Sequence, residues 1–348
     1  MKVLHVLNTG KYSGAENVVI TIINALEGNV ECAYTSPDGH IRDILKEEKI
    51  DFFPISTPAT NARELKQIIL QYKPDIIHTH DYNTGIRAFL AGTNVPIISH
   101  LHNNTPWLKR ICLKSFVYFM SCAKYKKILT VSDSVMEEFI FGKLLKKKTI
   151  VVGNPIDLTK IRKKTEERAI IQESSDVIFL GRLSLQKRPV IFLEIISKVV
   201  KKIPSLRVAM VGSGELREEV EKKIEELNLI ENVKLYGFQK NPYGLLKNSK
   251  VMCMPSEWEG FGLAAVEGLA FGKPVVAAPV GGLKNLINNR CGKLCNTRDE
   301  YIGELVKLLT DTSYYNQKSI EAKKRAEEYD NVESYSQQIR ELYFSISK

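Results

Sequence analysis

Short apolar runs alternate with amphipathic stretches along this chain, twice over, and that rhythm constrains the fold more than any other feature. In the first half, residues 3–7, 30–34, 50–55, 75–79, 96–100 and 127–131 are apolar runs of strand length. Residues 15–26, 41–48 and 63–72 lie between them, with apolar side chains at helical spacing. Such repetition predicts parallel strands with crossover helices, hence an α/β fold. The alternation stops after Asn154-Pro155, where residues 159–175 are polar and aperiodic and read as an interdomain linker. It then restarts. Residues 177–180, 207–211, 233–236, 250–254 and 274–278 read as strands, with helices over 189–202, 215–227, 262–270, 301–309 and 313–329. A last helix is expected over 332–346. The expected domains are 1–158 and 176–330, both Rossmann-like, and in such sheets ligands bind beyond the carboxyl ends of the strands.

A length of 348 residues suits two cores rather than one. No stretch approaches the roughly 18–20 uncharged apolar residues of a membrane span. The chain enters a strand almost at once, so the expectation is a cytoplasmic protein without a leader. Cys32, Cys112, Cys122, Cys253, Cys291 and Cys295 read as buried free thiols of a reducing compartment, because one C-x3-C pair is weak evidence for zinc. The net charge of +10 is unevenly spread. No acidic residue lies between Asp81 and Asp133. That stretch holds Arg87, Lys109, Arg110, Lys114, Lys124, Lys126 and Lys127, interleaved with Trp107, Phe116, Tyr118 and Phe119, and Lys146-Lys147-Lys148 follow. It is either a surface that settles on anionic lipid or an ordinary basic helix with its stems packed on the protein. Nucleic acid is not an expected partner, since no recognition helix or RNA-binding signature accompanies the charge.

Chemistry concentrates at strand ends. After the run ending at Met254-Pro255, a glycine-spaced loop carries Glu259, Gly260, Phe261, Gly262 and Leu263 into a helix. Gly260 and Gly262 allow close backbone approach to a ligand and leave N–H groups free at the helix start. Glu267 sits in that helix among apolar neighbours, where a carboxylate needs donors such as sugar or ribose hydroxyls, or a neighbouring backbone or Lys. Gly181-Arg182-Leu183 and Lys187-Arg188 form a second strand–loop–helix turn, whose cations and helix N–H groups suit a diphosphate. Gly212-Ser213-Gly214-Glu215 is a third such turn, and Gly281-Gly282 a weak fourth. The loop Asn8-Thr9-Gly10-Lys11-Tyr12-Ser13-Gly14 fits neither the P-loop nor the dinucleotide spacing, which argues against an ATPase or a nicotinamide enzyme. His78, His80, His100 and His102 fall at the ends of two successive strands and read as hydrogen-bonding groups rather than metal ligands.

Taken in order, these elements resemble the retaining family-4 glycosyltransferases of the GT-B fold, over essentially the whole chain. The most specific element is the E-x7-E pattern from Glu259 to Glu267, followed by Gly272-Lys273-Pro274. The resemblance implies two Rossmann-like domains across a cleft, with a C-terminal helix, 331–348, returning to the first. It implies that Arg182 and Lys187 bind the donor diphosphate and stabilise the leaving group, that Glu267 holds the ribose, and that Glu259 holds the transferred sugar. Gly181, Gly212, Phe261, Gly262 and Leu263 would border the donor, as would Ser13 and Gly14, and His102 would face the sugar. No metal or other cofactor is implied. The expected partners are a UDP-sugar and a lipid-linked saccharide acceptor, with the protein peripheral on the inner face of the cell membrane, in capsule or other cell-surface polysaccharide synthesis. The rival readings are an epimerase on the same fold and a non-catalytic tethering subunit. Three positions depart from the family pattern: Pro155 and Arg188 stand where glycine is frequent, and Asn285 where glutamate is.

Overall fold

The structure is a computed structural model that describes residues 1–56, 62–166 and 173–347. The chain divides into two compact units, Met1–Pro155 with Asn331–Lys348, and Ile156–Asp330.

The first unit holds a seven-stranded sheet. Its strands are β1 (Lys2–Val6), β2 (Glu31–Pro37), β3 (Asp51–Ile55), β4 (Ile76–Thr79), β5 (Ile97–Leu101), β6 (Tyr125–Thr130) and β7 (Thr149–Val151). They run parallel in the order β3-β2-β1-β4-β5-β6-β7. β4 and β5 are buried throughout, which is why neither shows the apolar–polar alternation of a half-exposed strand. β7 was not legible, being three residues beside a lysine run. The helix Val332–Ser347 belongs to this unit. Tyr335, Ile339 and Tyr343, four residues apart on one face, are buried, and the Tyr343 hydroxyl lies 2.6 Å from His78 Nδ1.

The second unit holds a six-stranded parallel sheet in the order β10-β9-β8-β11-β12-β13. These are β8 (Ser175–Leu180), β9 (Val208–Val211), β10 (Val233–Gly237), β11 (Ser249–Met254), β12 (Val275–Ala277) and β13 (Gly292–Leu294). Successive residues of the central strands feed two cores, one on each face: Val177, Phe179, Met210, Val251 and Cys253 on one side, Ile178, Ala209, Met252 and Met254 on the other.

Three expectations need correction. Residues 159–166 are not linker: the boundary falls after Pro155, and the helix Leu158–Lys163 buries Leu158 and Ile161 in the core of the second unit. Two apolar positions in six residues set no readable period, so the helix passed for linker. Residues 167–172 of that stretch lie outside the described residues. Residues 173–175 also fall short of a linker, since β8 already begins at Ser175. All six cysteines are free, but Cys32 and Cys112 are only partly buried. Among the described residues no helix is long and apolar enough to cross a membrane.

In each sheet the chain reverses direction of travel once, between β1 and β4 and between β8 and β11. Helices leave opposite faces there, opening a crevice at the carboxyl ends of those strands.

Candidate active site

The crevice between β8 and β11 is occupied by an ion pair. Lys187 comes from the loop after β8 and Glu259 from the loop after β11, and Lys187 Nζ lies 2.5 Å from Glu259 Oε1. Glu259 is buried, and the Ser256 hydroxyl donates to the same oxygen at 2.7 Å. Gly181 lies against the Lys187 stem, 3.5–3.6 Å from it even for an added Cβ. The two loops are also tied by backbone: Glu257 N donates to Gln186 O at 2.8 Å, and Gln186 Nε2 to Trp258 O at 3.0 Å.

Glycines set how closely the loops stack. Gly281 has φ +49°, and a Cβ there would run into the Glu259 carbonyl. At Gly282 a Cβ would meet Phe261 and Gly260, whose carbonyl accepts from Gly282 N at 3.0 Å. The Gly-Gly pair therefore presses the glutamate loop into place, a role more specific than a turn. Gly212, φ +142°, likewise lies on the Gly181 carbonyl. Gly262, φ +98°, precedes the helix Leu263–Ala270, in which hydrogen bonding to the Gly262 carbonyl begins only at Ala265 N, at 2.9 Å, leaving the N–H groups at the very start of the helix for other acceptors. Arg188 departs from this economy. It sits at φ +49°, where a side chain costs about 1–2 kcal/mol, and its guanidinium pairs with Glu257.

Glu267, one helical stretch beyond, accepts from the Tyr243 hydroxyl at 2.9 Å. Burial pushes its carboxyl up to about 7, against the pull of that hydrogen bond and of Lys164. A group so poised gains from further donors such as vicinal hydroxyls. Arg182 is exposed and has no ion pair among the described residues. Asn285 is exposed too, its carbonyl accepting from Arg325 and Tyr329. Tyr243 and Ser256 were missed by the sequence reading. Ser256, three residues before Glu259, could have been found from the motif, whereas Tyr243 is 24 residues from its partner and gives no local signal.

Ser13, Gly14 and His102 lie in the first unit. Ser13 precedes the helix Gly14–Ala25, and its hydroxyl donates to Glu16. His102 ends a row of five histidines, of which His5 was not foreseen. His5, His78 and His80, and His80, His100 and His102, bring ring nitrogens within 4.8 Å of one another. His5 Nδ1 lies 2.9 Å from His80 Nε2, and His80 Nδ1 lies 3.0 Å from His102 Nε2, a hydrogen-bonded chain. Burial holds all five uncharged: His5 is pushed down to about 3, His102 to about 4, and His78, His80 and His100 well below the usual range.

Comparison with known proteins now decides the family. Residues 12–160 match the description Glycosyltransferase Family 4, and residues 160–325 match Glycosyl transferases group 1. An Escherichia coli protein named UDP-Gal:alpha-D-GlcNAc-diphosphoundecaprenol alpha-1,3-galactosyltransferase is 26% identical over 99% of this chain and 97% of its own. The chain is a GT-B glycosyltransferase. This glycosyltransferase is also 30% identical to an uncharacterized glycosyltransferase of Methanocaldococcus jannaschii, over 62% of this chain and 58% of that one. Its fold is that of Anabaena HepE, solved in complex with UDP and glucose: TM-score 0.84, 22% identity, 99% and 100% of the two chains covered.

Proposed function

We propose that this glycosyltransferase moves a hexose from a UDP-sugar to a lipid-linked saccharide acceptor, with retention of anomeric configuration, in cell-surface polysaccharide synthesis. The observation that carries the reading is the Lys187–Glu259 pair at the β8/β11 crevice, beside the start of the helix Leu263–Ala270. Cleavage of a glycosyl–phosphate bond develops positive charge on the sugar and negative charge on the diphosphate. Lys187 and Arg182 neutralise the leaving diphosphate, and the N–H groups at Gly262 and Leu263 add the helix dipole. Glu259, already bonded to Lys187 and Ser256, orients the transferred sugar through its remaining lone pairs. Glu267 takes the ribose hydroxyls, with Tyr243 fixing one of its oxygens. Gly181 and Gly212 keep the loops thin enough for the diphosphate to approach backbone, and Phe261 lies against the donor. Protein cations take the place of a metal, so the reaction needs none. The Escherichia coli relative supports the donor and acceptor classes, since its name gives a UDP-sugar and a diphosphoundecaprenol-linked sugar. The lysine- and arginine-rich first unit supports work at the inner, anionic face of a membrane.

The test is a thermal-shift panel of UDP, GDP, ADP and NAD, with EDTA present, on wild type and Glu267→Ala. A ligand at about 100 times its dissociation constant stabilises by about 2.7 kcal/mol. The reading requires a shift with UDP that the variant loses and EDTA does not touch. No shift with any nucleotide overturns it.

A further inference from the structure

The helix Leu113–Ser121 carries apolar residues on two faces, where a surface helix needs one. Ser115, Tyr118 and Cys122 point inward and are buried, the Tyr118 hydroxyl lying 2.9 Å from Ser99 Oγ. Leu113, Phe116 and Met120 recur at the spacing of a second stripe and are exposed, with Val117 half-buried beside them. Leu113 is 79% exposed, Phe116 49% and Met120 50%, and Ile111 just ahead of the helix is 74% exposed. Phe119, between the two faces, stacks on Phe141 at 4.6 Å and seats the helix, so the outward stripe is a fixed feature. Cations surround it. Lys109 pairs with Glu138 at 3.5 Å, whereas Arg110, Lys114 and Lys124 have no ion pair among the described residues.

We propose that this stripe inserts into the interfacial layer of a bilayer containing anionic phospholipid, with Arg110, Lys114 and Lys124 on the headgroup phosphates. The inference rests on the membrane reading above and deepens it. Charge alone holds a protein over a surface, whereas an apolar stripe removed from water anchors it in the surface. Charge also selects the occupant: a second copy of this chain would bring the same cations face to face.

Co-sedimentation of the full chain with vesicles tests this, using phosphatidylcholine alone or mixed with phosphatidylglycerol, at low and high salt. One variant combines Leu113→Gln, Phe116→Gln and Met120→Gln, and a second combines Arg110→Gln, Lys114→Gln and Lys124→Gln. All six side chains are exposed, so the melting temperature should hold; if the first variant fails to fold, Leu113→Gln alone carries the test. Wild type should sediment with anionic vesicles only. The apolar variant should partition roughly tenfold more weakly or worse at both salt levels, and Leu113→Gln alone measurably more weakly. The charge variant should lose its salt dependence. Wild-type binding by the apolar variant overturns the inserted stripe while leaving charge attraction intact. Equal binding to neutral vesicles, or none to either, overturns the membrane assignment altogether, and the nucleotide shifts still judge the transferase reading independently. A dimer in sedimentation velocity that the apolar variant alone dissociates gives the stripe to a second copy, and overturns the proposal as well.

Discussion

Mild acid should unfold the first unit before the second. His5, His78, His80 and His100 are buried in one row and uncharged. Their folded pKa values lie below that of free imidazole, so the folded state binds fewer protons than the unfolded chain once pH falls below about 6.5. Their contribution to stability is therefore complete above that pH and is lost on the way down toward the folded values, about 3 for His5. Between pH 7.5 and 5.5 each such group costs about 1.4 kcal/mol, and the four together about 5 kcal/mol. That approaches the whole stability of an ordinary domain, about 5–15 kcal/mol. His102, half-buried, adds in the same direction. Asp81, held protonated more easily by burial, works the other way and trims the loss. The second unit has an opposing group of its own: Glu267, raised to about 7, gains relative stability as pH falls through that value toward the ordinary carboxylate range. The two tryptophans separate the units, Trp107 in the first and Trp258 in the second. Urea unfolding followed by tryptophan fluorescence of Trp258→Phe, from pH 7.5 to 5.5, reads the first unit. A fall of less than about 2 kcal/mol would falsify the reasoning, because it would mean that the folded row already carries protons. His100 has no hydrogen-bond partner at either ring nitrogen. His100→Phe should therefore lessen the pH slope by one proton.

The remaining predictions concern the second unit. Lys187→Ala should cost transfer about 10²–10³-fold, as losses of a charge-stabilising donor do, and cost folding less; wild-type rates from the folded variant would remove Lys187 from the reaction. Gly281→Ala, forced to put a Cβ onto the Glu259 carbonyl at positive φ, should abolish the UDP thermal shift and lower stability by about 1–3 kcal/mol. Arg188→Gly relieves a left-handed side chain but gives up the exposed pair with Glu257, worth about 0–1 kcal/mol. A net gain near 1 kcal/mol in denaturant midpoint is expected. A loss would mean that the ion pair outweighs the backbone.

What the sequence revealed, and what it hid, divides by the range of the interactions involved. Central strands were legible because both faces are covered, so β4 and β5 carry mostly apolar residues within a few positions of one another. The loop bearing Glu259 was legible for a similar reason: its glycines and the helix behind it are consecutive. The linker misreading came from a helix too short to show a period. Partnerships between distant segments left no trace. Nothing near Glu267 announces Tyr243, and nothing near Glu259 announces that Gly281 must be bare for the loop to close against it. The histidine row shows the limit most plainly. His78, His80, His100 and His102 could be grouped because they fall in pairs at the ends of two successive strands. His5 stands alone in its strand and joins them only because β1 lies beside β4 in register, His5 opposite His78. That register is set by the crossover through the whole first half of the sheet. A residue's place in such a row is a property of topology, and it becomes readable from sequence only after the strand order is known.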